Sequence, residues 1–272
     1  MPYDELAPPA ALAAHVRCIW NYEADAGKAT AAAERIVPDG RCELIVHFGK
    51  PFLEGAKPQP RALFAGQLTR PLWLRADGPA GVLGVRFHAA GARRFLGRSL
   101  AEATDRRVPL RELWPTETRH LVKAIAEAPD ALSRAQIAAT FVTQRIGCGD
   151  GENDELVARC VTRIEESAGR VAIEELLEGA GVGRRQLERR FREAVGVPPR
   201  LFASILRFRR VFDELQGPHA ARWTDAAAAA GYFDQSHLIR DCRRFLGCTP
   251  AQFLETRGDL AAALAETSPR PA

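Results

Sequence analysis

The sequence predicts a multi-domain protein, with a β-rich N-terminal half followed by an all-α C-terminal half. Up to about residue 110, short β-rich runs alternate with Gly- and Pro-containing turns, which is typical of an antiparallel sandwich or barrel. Farther along, apolar residues recur with helical spacing. One helical unit also occurs twice, since "RRQLERRFREAVGVPP" from Arg184 and "QSHLIRDCRRFLGCTP" from Gln235 align without a gap.

The N-terminal strands are predicted from two runs, "RCELIVHFG" and "AGVLGVRFH", with "VPDG" and "ADGPAG" as turns. The stretch "TRHLVKAIAEAPDALSRAQIAATFVTQRI" predicts two helices separated at Pro129. The helix from Ala135 to Ile146 carries a stripe that either joins two copies of the domain or packs on the barrel: Ile137, Thr140, Phe141, Gln144 and Arg145. We predict a cupin-like sensor or dimerisation domain over residues 1–150, ending in helices.

The C-terminal half is predicted to be entirely helical. The segment "GCGDGEND", at about residues 147–154, has the small and acidic composition of a linker. Helices are predicted after it at residues 154–167, 172–179, 184–194, 199–215, 224–230, 235–245 and 250–257. They form a predicted domain over residues 151–257, and residues 258–272 are predicted to be a flexible tail.

Each copy of the repeated unit has a short helix, a Gly-containing turn and a second helix, which is the layout of a helix-turn-helix. The helical period predicts an inward-facing set on each second helix: Leu187, Phe191 and Val195 in the first copy, and Leu238, Cys242 and Phe245 in the second. Asp234 is placed to cap the second copy's helix, whereas Gly183 offers the first no side-chain cap. An apolar stripe on the connecting helix is predicted to pack against both units: Leu201, Ile205, Phe208 and Phe212.

The distribution of charge favours a nucleic-acid partner. The chain has 38 Lys and Arg against 34 Asp and Glu, a net charge of +4. From Arg184 to Arg210, nine Arg face only two Glu, so this stretch alone carries a net charge of +7. Such an arginine-rich patch is typical of contact with phosphates. A solvated basic surface on an all-α interaction domain is the alternative interpretation.

The segment "GYFDQSHLIRDCRRFLGCTPAQF" is close to the C-terminal signature of the AraC/XylS family of bacterial transcription regulators. The chain resembles that family over about residues 154–257. The segments "IVPDGRCELIVHFG", "AGQLTRPLWL" and "LGVRFHAAGARRFLG" are similar to the cupin-like sensor region of one branch of the family. The resemblance implies a sequence-specific regulator whose partners are double-stranded DNA and RNA polymerase. It also implies an N-terminal domain that binds a small-molecule effector, forms a homodimer, or both.

The resemblance implies base-facing positions on both second helices. These are Arg185, Glu188 and Arg189 in the first unit, and Gln235, Ser236, His237 and Arg240 in the second. Arg184 completes the predicted DNA-binding set together with Arg207 and Arg210, which are predicted to meet phosphates from the connecting helix. The chain departs from the family pattern at Gly183, where a capping Ser is usual, and at Cys242, where an aromatic residue is usual.

The predicted barrel offers weaker candidates for contact with an effector: Arg41, His47, Arg86 and His88. Strand alternation places Glu43 with His47 on one face, and two His with a Glu would suit a divalent metal. No His-x-His pair occurs, however, so we expect neither a metal nor a cofactor. A metal-dependent cupin enzyme with an accessory helical domain is the alternative function, and a DNA-architectural protein without base specificity is a third.

Several protein classes are disfavoured by composition and by missing motifs. The six Cys form no CxxC pair, and Cys18 is predicted to be a buried thiol. No nucleotide-binding glycine loop, nucleophile elbow or zinc-protease helix occurs, so the chain is not expected to be an enzyme. The N-terminus lacks the pattern of a signal peptide and no run is long enough to span a membrane. We expect a cytoplasmic protein without a membrane partner.

Overall fold

The computed structural model describes residues 3–25, 33–148, 154–215 and 223–255. The strands are β1 (Tyr3–Leu6), β2 (Val16–Ala24), β3 (Glu34–Ile36), β4 (Glu43–His47), β5 (Leu53–Glu54), β6 (Lys57–Pro58), β7 (Ala62–Ala65), β8 (Leu72–Arg75), β9 (Ala80–Phe87) and β10 (Arg107–Pro109). The helices are α1 (Ala92–Leu96), α2 (Pro115–Glu127), α3 (Ala131–Cys148), α4 (Glu155–Glu166), α5 (Ile173–Leu177), α6 (Arg184–Val195), α7 (Pro199–Leu215), α8 (Trp223–Ala229), α9 (Gln235–Phe245) and α10 (Pro250–Glu255). The predicted order of a β-rich half followed by a helical half is confirmed.

The strands form two antiparallel sheets, one in the order β1-β2-β9-β4-β7-β10 and one in the order β3-β8-β5-β6. Alternation along β4 sends Leu44 and Val46 to one face of the larger sheet and Ile45 to the other. The first face packs against α1, α2 and α3 in the largest apolar core. Ile45 belongs to a smaller apolar cluster on the opposite face. Phe52, in the segment before β5, packs against that cluster.

Helix α3 packs one of its faces against the larger sheet. Ala138, Phe141, Val142 and Ile146 are all buried in the core that covers the larger sheet. Of the predicted stripe, Phe141 is buried in this core and Ile137 packs against it, whereas Thr140 and Gln144 are exposed, so dimerisation through this helix stays a prediction. The predicted break at Pro129 is confirmed, since α2 ends at Glu127 and α3 begins at Ala131.

All seven predicted C-terminal helices are present, with boundaries within a few residues of the prediction. Helix α7 lies between the two repeated units, and its Ile205 and Phe208 are fully buried, as predicted. The side chain of Phe212, also predicted to face inward, lies outside the described part of the structure. Among the described residues, no helix is long and apolar enough to cross a membrane.

A glycine follows the second helix of each repeated unit, α6 and α9, which are called the recognition helices below. Gly196 follows α6 with φ of +97°, and Gly247 follows α9 with φ of +75°. Both values lie in the left-handed region that favours glycine, which explains why the two repeats share a glycine at this position.

The N-terminal half packs directly against both repeated units. The Thr104 hydroxyl donates to the carbonyl oxygen of Gly196 (2.6 Å), at the end of α6. Near the second unit, the Arg35 guanidinium donates to Cys248 Sγ (3.1 Å), and Val37 lies in the apolar core formed by α7 to α10. Much of the predicted linker, residues 149–153, lies outside the described residues, as does the predicted tail at 258–272. The domain boundaries therefore stay a prediction.

Helix α4 begins at a carboxylate that also forms an ion pair. Asp154 Oδ1 accepts from the amide of Val157 (3.1 Å) and caps the helix. Both Asp154 oxygens accept from the guanidinium of Arg190 on α6 (2.6 Å each). Burial by itself would raise the pKa of Asp154, but the hydrogen bonds from Arg190 and Val157 outweigh it and lower the pKa below 3.8.

Replacing Asp154 with Asn is expected to lower the free energy of unfolding by about 1–3 kcal/mol at pH 7, because it removes a charge-assisted pair. A carboxyl whose pKa is lowered by folding contributes fully above its ordinary pKa of 3.8 and loses that contribution as pH falls through the lower folded value. Urea unfolding should therefore show the difference between wild type and variant shrinking below about pH 4. The control is Glu155→Gln, which changes an exposed neighbouring carboxylate. If the free energy of unfolding lost in Asp154→Asn did not change with pH, the pKa of Asp154 would not be lowered by folding.

Candidate nucleic-acid interface

The first recognition helix, α6, is anchored by the predicted residues. Leu187, Phe191 and Val195 are fully buried, which confirms the predicted inward face. The ring of Phe191 lies 5.7 Å from that of Phe202 on α7, centroid to centroid. Gly183 precedes the helix and makes no side-chain cap, also as predicted. Helix α6 is thus held by its packing on α7 and α4.

The opposite face of α6 presents Arg184, Arg185 and Arg189 to solvent. Arg184 approaches Glu188 (3.3 Å), and Arg189 approaches Glu193 (3.7 Å), with the Arg189 side chain 68% exposed. Exposed ion pairs within one helix contribute little to the stability of the fold. These arginines can therefore exchange their glutamate partners for phosphates or bases. Arg185 is exposed and makes neither a hydrogen bond nor an ion pair with any described residue.

The second recognition helix, α9, repeats this arrangement and adds a cap. Asp234 accepts from the amide of His237 (2.7 Å), which confirms the predicted cap. The predicted inward face is also confirmed, because three residues are buried: Leu238, Cys242 and Phe245. The Phe245 ring lies 5.2 Å from that of Phe208 on α7. Helix α7 therefore supports both recognition helices, each through a pair of phenylalanine rings.

Three of the predicted base-facing residues of α9 are open to solvent. Gln235 and Ser236 occupy its first turn, and Arg240 lies on the following turn. Arg240 makes no hydrogen bond or ion pair within the described part of the chain. This environment matches that of Arg185 in the first unit.

His237 has a more enclosed position than its neighbours on α9. Its ring meets the Tyr232 ring edge-on at 5.0 Å, and its Nε2 lies 3.8 Å from Asp241 Oδ2. The Tyr232 hydroxyl donates to that same oxygen (2.9 Å), and Asp241 is buried. His237 thus belongs to a polar cluster under the turn, and its predicted contact with bases stays a prediction.

The two connecting-helix arginines differ in environment. Arg210 is exposed. Arg207 is half-buried, its guanidinium lies 5.7 Å from the centroid of the Tyr232 ring, and its Nε has no hydrogen-bond partner within the described residues. Arg210 is therefore the better placed of the two to reach a phosphate.

Phe233 is a candidate that the sequence reasoning missed. Its side chain is 97% exposed, directly before the Asp234 cap of α9. A large apolar side chain in a turn next to a recognition helix was the available signal, since such a turn has no core to fill.

The four predicted effector contacts do not form a single site. Arg86 Nε and Trp20 Nε1 both donate to Glu43 Oε1 (2.8 and 3.1 Å), on the face of the larger sheet away from the helices. His47 is fully buried on the same strand as Glu43, and its Nε2 lies 3.2 Å from Gln59 Oε1. Burial lowers the pKa of His47 to about 4, so the ring is neutral at pH 7.

Arg41 and His88 lie instead where the two halves of the chain meet. A nitrogen of Arg41 approaches Glu165 of α4 to 2.8 Å, although the two groups are not aligned for a hydrogen bond. His88 follows the last residue of β9, and the pKa of its ring is lowered by burial and by the nearby Arg41. No group of three potential metal ligands from His, Cys, Asp and Glu was found among the described residues.

Comparison with known proteins identifies two domain families. Residues 176–256 match the family model described as a helix-turn-helix domain, and residues 4–109 match a domain of unknown function, DUF6597. No curated protein matches the chain significantly.

Two solved structures of ToxT from Vibrio cholerae align with most of this chain. An apo variant is 11% identical, with a TM-score of 0.43 over 87% of this chain and 97% of that chain. A second crystal form is 7% identical, with a TM-score of 0.45 over 94% and 98%.

Proposed function

We propose that this chain, a DNA-binding transcription regulator with an AraC-type helix-turn-helix domain, recognises a specific operator with both of its repeated units. One observation carries the proposal. Recognition helices α6 and α9 pack on the same helix, α7, and each presents an exposed arginine without a partner among the described residues, Arg185 and Arg240. Two such helices on one support would enter successive segments of the major groove on one face of the DNA.

We assign base reading to the open positions of the two helices. A guanidinium can donate two hydrogen bonds to O6 and N7 of guanine, which suits Arg185, Arg189 and Arg240. Gln235 offers the amide that pairs with adenine, and Ser236 can contact either kind of base. Arg184 and Arg210 are exposed and would position the protein on the DNA backbone. Glu188 is partly exposed and would orient the arginines that it pairs with.

We further propose that the N-terminal domain controls DNA binding, through a small-molecule effector, through dimerisation, or through both. Its contacts support this role, because Thr104 reaches the end of α6 and Arg35 reaches the turn after α9. A change in the shape of this domain would therefore alter how the two recognition helices are held. As a regulator acting with RNA polymerase, the protein would function in the cytoplasm, and we assign it no catalytic residue.

Selection of bound sites from random double-stranded DNA tests the proposed function, using the purified full-length protein with and without a metabolite pool. The expected product is one motif with two conserved elements about one helical turn, ~34 Å, apart. A change in the motif or in its yield with metabolites would support effector control. A pool that shows no enrichment, with random DNA competing equally well, would contradict sequence-specific binding and favour an architectural protein.

Replacing Phe233 with Ala is expected to weaken DNA binding without weakening the fold. The exposed ring makes no contribution to the core, so the free energy of unfolding should change by less than about 0.5 kcal/mol. Because the ring precedes the cap of α9, it would pack against the sugar-phosphate backbone and support binding to all sequences alike. Titration of wild type and variant with selected and scrambled sites measures this, and unchanged affinity for both would disprove the contact.

A further inference from the structure

We propose that a cleft between the two halves of the protein binds a small organic anion through Arg93 and Arg94. The cleft lies between the segment that contains α1 and the face of helix α4, and its volume is about 300 Å³. That volume is at the lower end of the range for small-molecule sites. The proposal deepens the effector control proposed above, on which its regulatory role rests, by naming the chemical class of the ligand.

The two arginines of the cleft have no acceptor for their guanidinium groups among the described residues. Arg93 and Arg94 are half-buried on α1, and neither makes a hydrogen bond or ion pair with a carboxylate of the described residues. The Nε of Arg94 is shielded from solvent without any hydrogen-bond partner there. A buried donor without an acceptor is costly, and a bound oxyanion would supply one. Guanidinium groups suit carboxylates and phosphates because their N–H groups match two oxygens at once.

The carboxylates that line the same cleft already have other partners. Asp154 is held by Arg190 (2.6 Å), and Glu165 is approached by Arg41 (2.8 Å). Neither of these two arginines lines the cleft. The negative charge of the wall is therefore balanced from outside, and the charges of Arg93 and Arg94 remain uncompensated within it.

The remaining wall restricts the size of the ligand. Small side chains contribute much of it, including Ala14, Ala90, Ala158 and Ala194. They leave room for a short carbon skeleton beside the two guanidinium groups. His88 adds a ring whose pKa is lowered by burial, so it is neutral at pH 7 and can form a hydrogen bond with the ligand. The cleft therefore suits a small metabolite that carries a carboxylate or a phosphate group.

An anion in this cleft would contact both halves of the chain. Arg93 and Arg94 belong to α1, whereas the opposite wall belongs to α4, which is joined to α6 by the ion pair between Asp154 and Arg190. A ligand that favours one arrangement of α1 and α4 would shift the population of arrangements available to α6. Binding of the anion would then change the protein's affinity for DNA. Binding of DNA would change the protein's affinity for the anion by the same factor.

Calorimetric titration of the full-length protein in chloride buffer tests the site directly, with inorganic phosphate, acetate, succinate and citrate as probes. We expect saturable binding of at least one probe, and the preference for phosphate or carboxylates identifies the ligand class. Changing Arg93 or Arg94 to Gln should weaken that binding about tenfold or more, because each change removes a charge-assisted contact. The matched control is Arg98→Gln, since Arg98 lies outside the cleft and pairs with Glu102 on the surface. Its affinity should equal that of the wild type.

Absence of saturable binding by every probe at millimolar concentration would overturn the proposal, as would equal affinity in the wild type and the Arg93 and Arg94 variants. If an arginine variant fails to fold, Ala158→Leu tests the site instead, because the larger side chain fills the cleft without altering either arginine. That variant must lose the binding seen in the wild type, and retained binding would place the anion elsewhere. The titrations contain no DNA, so a protein that binds the probe but no operator would contradict the proposed function alone.

Discussion

Replacing Arg240 with Ala is expected to reduce the preference for one base pair of the operator by roughly 5- to 150-fold, which corresponds to about 1–3 kcal/mol. Arg240 is exposed on α9, and none of the described residues engages its guanidinium. The group is therefore free to donate two hydrogen bonds to the O6 and N7 of a guanine. Removing it should leave binding to operators already changed at that base pair nearly unaltered.

Binding titrations on the operator and its single-base variants, at two salt concentrations, measure the effect. Arg210→Ala is the matched control, because it removes the same group from an exposed position on α7. That variant should bind every site more weakly by a similar factor, and its salt dependence should be shallower by about one unit of slope. If Arg240→Ala instead weakens every site by one factor, Arg240 contacts a phosphate and does not read a base.

Replacing Phe245 with Ala is expected to lower the free energy of unfolding by about 3–5 kcal/mol, the usual cost of removing a buried aromatic ring. Phe245 is fully buried, and its ring packs on Phe208 of α7 at 5.2 Å. The substitution would leave a cavity between the connecting helix and the second recognition helix. We therefore expect the variant to lose protection of the second half of the operator before it loses the first.

Chemical unfolding and footprinting at a temperature where the variant is still folded measure these two effects. Phe233→Ala is the control for the unfolding measurement alone, because it deletes the same ring from an exposed position. A loss of less than about 1 kcal/mol in Phe245→Ala would show that this ring is not central to the packing of the second unit.

The helical half of the fold was predictable because its elements are local. A helix such as α9 is specified by residues within a few positions of one another: the Asp234 cap, the buried Leu238 and the left-handed Gly247. The same period separates its inward face from its outward face. The buried residues of both recognition helices, and therefore their exposed faces, followed from the sequence.

The interface between the two halves was not predictable from the sequence. Arg41 was predicted only as a candidate effector contact, and its position against Glu165 was not foreseen. Arg35 likewise meets Cys248 from the other half of the chain. Such pairs depend on how two separately formed units dock, and no local spacing encodes that arrangement. For the same reason the cleft that contains Arg93 and Arg94 left no pattern in the sequence, because its two walls lie far apart along the chain.

The environments of Arg207 and His237 were also not predictable from the sequence. Arg207 and His237 were both predicted to contact DNA, and both pack beside Tyr232 in the structure. The turn between α8 and α9 brings that ring back over α7, a tertiary effect that the spacing within either helix does not contain. Residues on the boundary between an inward and an outward face depend on such neighbours for their final environment.

Guanine-methylation interference on the selected operator, with the wild-type protein, tests most directly whether both units read DNA. We predict two groups of interfering guanines in successive major-groove segments, about 10 base pairs apart on one face. Arg240→Ala should remove interference in one group only, and Arg185→Ala in the other. Interference confined to a single segment, or absent from both, would contradict the conclusion that the two recognition helices bind the operator together.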